Sequence, residues 1–110
     1  MNRAESFEKE IRNKERFEFG KNWKKFLKSI SDKKITQAEK SIKSMLELND
    51  LTGKTFLDIG SGSGIFSLAA KNLGAQVHSF DYDKNSFWCT NFLKEKFYPN
   101  DNTWKVEMGS

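Results

Sequence analysis

The sequence predicts an α/β chain in which three parallel strands form one sheet in the spatial order 3-2-1, preceded by a helical segment. Three observations carry that prediction. Beyond residue 54, short apolar runs of strand length alternate with stretches of helical period. A glycine-rich run, Gly60-Ser61-Gly62-Ser63-Gly64, joins the first strand to the helix after it, and Asp81 stands at the end of the second strand, 21 residues after Gly60. Strand-helix-strand order implies parallel strands with right-handed crossovers, and such sheets bind ligands outside the carboxyl ends of their strands, at the point where strand order would reverse. The glycine-rich run falls at that point.

Each element has its own local reason. From Phe7 to Ile30 charged residues are mixed with Phe7, Ile11, Phe17, Phe19, Trp23, Phe26, Leu27 and Ile30, which suggests two short helices around a bend at Phe19-Gly20-Lys21-Asn22. Thr36-Gln37-Ala38-Glu39 has the form of a capping box, so a helix is expected from there to about Leu48, with Ala38, Ile42, Met45 and Leu46 on its apolar side. Asn49 to Gly53 ends it. Thr55-Phe56-Leu57-Asp58-Ile59 reads as the first strand. Ile65, Leu68, Ala69 and Leu73 then give a helix with Gly74 at its C-terminal cap, and Gln76 to Asp81 gives the second strand. Asp83 is placed to cap a further helix with Trp88, Cys89, Phe92, Leu93 and Phe97 as core; a turn at Pro99-Asn100-Asp101-Asn102 leads to a third strand, Trp104 to Met108.

Composition narrows the function classes. Ten Phe and three Trp in 110 residues supply enough large apolar side chains for a core and exclude global disorder. The net charge of +4 is concentrated in residues 1–54, where Lys and Glu alternate without a pure basic run, so a solvated helical surface is favoured over a nucleic-acid footprint. The single cysteine, Cys89, excludes an internal disulfide framework, and His78 has no neighbour that would complete a metal site, so no metal is expected. No run approaches the ~18 apolar residues of a membrane span and the N-terminus has no apolar signal core, which makes a cytoplasmic location the expectation.

Glycines at 60, 62 and 64 let the backbone turn sharply and let a ligand approach without meeting a Cβ atom. A carboxylate at Asp81 is where both hydroxyls of an adenosine ribose would be accepted. Asp58 lies inside an apolar strand, an expensive position for an acid without hydrogen bonds, and so also belongs to the expected site. Strand, loop, helix and strand-end acid together point to an adenosine ligand.

Phe56-Leu57-Asp58-Ile59-Gly60-Ser61-Gly62-Ser63-Gly64 resembles motif I of class I S-adenosylmethionine-dependent methyltransferases, and Val77-His78-Ser79-Phe80-Asp81-Tyr82-Asp83 resembles their motif II. Phe19-Gly20-Lys21-Asn22-Trp23 is similar to the lead-in segment of small-molecule methyltransferases of the ubiquinone-biosynthesis type. The resemblance implies a Rossmann-like methyltransferase fold, with residues 1–52 as an N-terminal helical segment and residues 53–110 as the first part of an S-adenosylmethionine-binding domain. It implies that Gly60, Ser61, Gly62 and Gly64 carry the loop along the methionyl part of S-adenosylmethionine, with Asp58 beneath, fixing the loop or reaching the amino group through water. Asp81 would hold the ribose diol, Tyr82 would lie beside the adenine, and Lys21, Asn22 and Trp23 would close over the carboxylate end. The acceptor implied is a small molecule, while the mixed-sign charge pattern and the lack of a long apolar run argue against nucleic acid and membrane as partners.

The family pattern continues past the third strand into an acidic adenine-side position and a fourth strand with its loop, so this chain is expected to supply most of the cofactor pocket and to be inactive alone. No catalytic residue is assigned, because any general base belongs to the later part of that pattern. A dinucleotide-dependent oxidoreductase is the competing enzyme reading, disfavoured by Ile65 at the third-glycine position and by the acid at Asp58; a non-catalytic adenosine-binding module is the competing reading of another class. Cys89 is expected to be core and not a nucleophile, and His78 a packed or edge side chain.

Overall fold

The computed structural model describes residues 25–109. Residues 25–29 are helical and are followed by α1 (Asp32–Leu46), β1 (Thr55–Ile59), α2 (Ile65–Asn72), β2 (Gln76–Asp81), α3 (Lys84–Phe97) and β3 (Trp104–Met108). The three strands form one parallel sheet in the order β1-β2-β3, as the alternation of periods predicts. Thr55 to Ile59 pair with Gln76 to Phe80, and Val77 to Asp81 pair with Trp104 to Met108. All three carboxyl ends therefore finish on one edge of the sheet, beside the glycine-rich loop.

The first helix starts five residues earlier than the capping box suggests. Ser31 is its N-cap, with its hydroxyl accepting the Lys34 N–H at 3.2 Å, and Asp32 adds a negative charge to the first turn. Thr36 and Glu39 consequently lie within the helix. The earlier start brings Ile35 onto the buried face with Ala38 and Ile42, at the i, i+3, i+7 spacing of one helical side. The helix stops at Leu46, because Glu47 takes a left-handed conformation (φ 55°) and the Leu48 N–H returns to the Lys43 carbonyl at 3.1 Å.

The α2 and α3 boundaries follow the predicted signals: Gly74 has φ 100° just after α2, and the Asp83 carboxylate caps α3 by accepting the Ser86 N–H at 3.0 Å. Phe56, Asp58, Val77, Ser79, Trp104 and Val106 alternate onto the sheet face against α2 and α3, and α1 packs on α2. Leu68, Leu93, Ile42 and Trp104 are essentially inaccessible at the centre of this layer.

One part of the expected core is not core. Trp88 and Phe97 are 51% and 40% exposed. The buried stripe of α3 runs through Cys89, Thr90 and Leu93, which turns Trp88 to its flank and leaves Phe97 at the helix end. On the opposite sheet face, Leu57 and Ile59 of β1 are exposed.

Candidate functional site at the β1–α2 loop

The first three residues of the Gly60–Gly64 loop are tied to the end of β2. The Gly60 and Ser61 N–H groups donate to the Phe80 carbonyl at 2.7 and 3.2 Å, and the Gly62 N–H donates to Asp81 Oδ2 at 3.0 Å. The other oxygen of Asp81 accepts the Asp83 N–H at 2.8 Å. Asp81 thus joins the loop, the end of β2 and the start of α3. Each carboxylate oxygen has a second lone pair, so these two bonds leave acceptor capacity for a ligand's hydroxyls.

Gly62 has φ 59°, and a Cβ built on it would meet nothing within 4 Å. The same open space lies over Gly60 (φ 74°). A ligand is therefore free to lie directly on the backbone there. Gly64 is glycine for a different reason: a Cβ at that position would stand 2.7 Å from Thr90 Oγ1 and 2.8 Å from Thr90 Cα. Thr90, fully buried in α3, also shares a 2.9 Å hydrogen bond with the Ser61 hydroxyl, so it acts as a post against which the loop is seated.

Asp58 is half-buried and, among the described residues, its hydrogen-bond partner is Ser67 of α2, whose hydroxyl donates to Asp58 Oδ2 at 2.6 Å. Ser67 and Ser79 hydroxyls lie 2.6 Å apart, and the Trp104 indole N–H donates to Ser79 Oγ at 2.9 Å. Tyr82 stands 70% exposed beyond the end of β2, in edge contact with Phe80. Asn22 and Trp23 lie outside the described residues. An open hollow of about 350 Å³ adjoins the loop, lined by Phe26, Ser29, Gly62, Ser63, Asn85 and Cys89 among others. Burial, with the Asp83 charge as the lesser cause, pushes the Cys89 thiol up to about 11, which suits a core residue and not a nucleophile.

Ser61, Gly62 and Asp81 are brought into direct contact or adjacency, and Asp58 is tied to α2 in place of the loop. Ser67, Ser79 and Thr90 were not among the predicted site residues. Their signal was a hydroxyl at an inward-facing position of an otherwise apolar helix or strand, the pattern that made Asp58 conspicuous. Among the described residues no group of His, Cys, Asp and Glu is arranged to hold a metal ion, and no helix is long and apolar enough to cross a membrane.

A three-stranded parallel sheet with a glycine-rich loop at its carboxyl edge and helices between the strands has the Rossmann-like architecture of class I methyltransferases. The fold is similar to the crystal structure of a candidate RNA methyltransferase from Pyrococcus horikoshii, with a TM-score of 0.52 and 25% identity over 69% of this chain and 35% of that one. Residues 36–96, more than half of the chain, match the family of ribosomal protein L11 methyltransferase (PrmA), and the chain belongs to that family. It is 55% identical over 40 residues to the ribosomal protein L11 methyltransferase of Helicobacter hepaticus, and 33% identical over 76 residues to that of Pediococcus pentosaceus. These alignments cover 12% and 24% of the two relatives, so the chain spans a minor part of their length.

The family corrects two expectations. The ubiquinone-biosynthesis subtype has no support among the relatives, and a small-molecule acceptor is overturned, because both relatives are named for a protein acceptor. The lead-in residues that suggested the subtype lie before residue 36, outside the family match.

Proposed function

We propose that this chain forms the cofactor-holding part of an S-adenosylmethionine-dependent methyltransferase whose acceptor is a protein side chain, with ribosomal protein L11 as the first candidate and the cytoplasm as its place of action. The observation that carries this reading is the pairing of Asp81 with Gly62 beneath open space. The strand-end carboxylate and the bare backbone form one rigid unit, which fits a ribose on one side and an extended amino-acid moiety along the other.

In this reading Gly60, Ser61, Gly62 and Gly64 carry the methionyl part, Asp81 accepts from the ribose hydroxyls, Asp58 serves the amino-acid end, and Tyr82 covers the adenine. When bound, the cofactor supplies a sulfonium-activated methyl carbon. The chain's own residues orient that group and keep water from it, which is the larger share of the protein's work in methyl transfer. Activation of the acceptor falls to residues of the protein other than those placed here.

The test has two arms. Calorimetry of the chain with S-adenosylmethionine and with NAD is expected to show binding of the first only; preference for NAD would support the oxidoreductase reading instead. Labelled-methyl transfer by the complete gene product, offered L11 and ribosomal RNA separately, is expected to label the protein. Binding without transfer to any acceptor would leave an adenosine-binding module.

A further inference from the structure

The acid in the first strand is connected to the far side of the sheet. Asp58 on β1 and Ser79 on β2 are register partners, Ser67 of α2 bridges them from above, and Trp104 reaches Ser79 from β3. Three of the four residues are fully or almost fully buried: Ser67 and Ser79 at 0% exposure and Trp104 at 1%. Buried hydroxyls that were merely tolerated would be satisfied by the nearest carbonyl, yet here they are bonded side chain to side chain across four elements.

The chemistry of the two ends fixes the direction. An indole N–H only donates, so Ser79 Oγ accepts from Trp104 and its own proton goes to Ser67 Oγ. Ser67 in turn gives its proton to Asp58 Oδ2. Every hydroxyl has one orientation, and the chain of donors ends on one named carboxylate oxygen. Among the described residues Asp58 Oδ1 has no hydrogen-bond partner, and Asp58 lies two residues before Gly60, where the ligand cradle opens.

We propose that Ser67, Ser79 and Trp104 are positioning residues for the cofactor site: their one-way hydrogen-bond chain locks Asp58 Oδ2 and thereby reserves Oδ1, with its rotamer fixed, for the ligand lying on the loop. This rests on the cofactor reading above. Fully satisfied buried networks of this kind rigidify a site, and a group already oriented before binding loses less freedom when the ligand arrives. Ser67 and Ser79 therefore contribute to affinity without touching the ligand, through Asp58 alone.

A double-mutant cycle separates this role from ordinary core packing. Affinity for S-adenosylhomocysteine is measured by calorimetry for the unsubstituted chain, Ser67→Ala, Asp58→Asn and the double variant, with circular dichroism melts alongside. Ser67→Ala is expected to weaken binding about three- to tenfold, less than the loss of a direct charge-assisted bond to the ligand because the carboxylate stays and only its fixed orientation is lost, and to change affinity less than about twofold once Asp58 is Asn. The same fold-loss in both backgrounds, or unchanged affinity in Ser67→Ala, would overturn the proposal. Should Ser67→Ala not fold, Ser79→Ala, one bond further from the carboxylate, carries the same cycle. Absence of binding by the unsubstituted chain would sink the cofactor reading and this proposal together, whereas binding with additive losses would sink only the latter.

Discussion

The Gly62 N–H donates to the carboxylate of Asp81 at 3.0 Å, and the neighbouring acid, Asp83, turns the other way to cap α3. Two acids separated by one residue thus have different jobs. Asp81→Ala is expected to weaken S-adenosylmethionine binding about ten- to a hundredfold, the effect of removing charge-assisted hydrogen bonds of about 1.5–3 kcal/mol. Asp83→Ala is expected to leave affinity within a few fold and to lower helix stability by about 1 kcal/mol. Calorimetry and thermal melts of the two variants check the contrast, and equal affinities would remove Asp81 from the ribose role.

Gly62 and Gly64 separate fold from function in the same loop. Gly62→Val places its branches in the open space over the cradle, with only the positive φ to resist, so the fold is expected to survive at a cost of about 1–3 kcal/mol while ligand binding is lost. Gly64→Ala drives a methyl group into the Thr90 backbone and is expected to unfold or grossly loosen the loop even without ligand. Circular dichroism should distinguish them. A folded Gly62→Val that still binds would reduce the loop to a structural turn.

The local signals were legible in the sequence because they are decided over a few residues. The bounds of β1 and β2, the left-handed glycines and the Asp83 cap all emerge where a period changes or a special backbone angle is needed. The start of α1 is not decided locally, because two N-cap signals, Ser31 and Thr36, compete within six residues, and the earlier one is the start that buries Ile35. The Ser67–Ser79–Trp104 chain was hidden, since it exists only once register sets β1, β2 and β3 side by side. The acceptor class is not legible in these motifs for a different reason: a backbone cradle for a cofactor is indifferent to what receives the methyl group.

Acid sensitivity should arise in part from the turn before β3. Hydrogen bonds from the Thr103 hydroxyl and backbone N–H, then the Lys71 ammonium at 3.0 Å, hold the Asp101 carboxyl down to about 2 from an ordinary value of 3.8. A depressed folded-state pKa gives stability that is present above the unfolded value and disappears as pH falls through the folded one. The loss should lie between about pH 4 and pH 2. Asp101→Asn is expected to lower the melting temperature at neutral pH by about 4–8 °C, corresponding to ~1 kcal/mol, and to flatten the melting curve's pH dependence in that window. An unchanged pH profile would show that the turn contributes nothing to acid stability.

The exposed face of β1 makes a prediction about association. Thr55, Leu57 and Ile59 point away from α2, and Leu57 and Ile59 are 58% and 70% exposed on a strand whose sheet partner among the described residues is β2 alone. A strand with an open edge and apolar side chains on its outer face presents both unpaired backbone groups and a surface that favours burial, the combination that draws in another chain. The isolated 110-residue chain is therefore expected to self-associate as its concentration rises. Leu57→Lys with Ile59→Lys should shift it toward monomer on size-exclusion chromatography while changing stability by no more than about 0.5 kcal/mol per site, because neither side chain is in the core. Phe56→Lys, at a half-buried position facing the helices, should destabilise the fold instead. A chain that stays monomeric at every concentration, or a double lysine variant that associates as strongly as its parent, would show that the β1 face does not drive association.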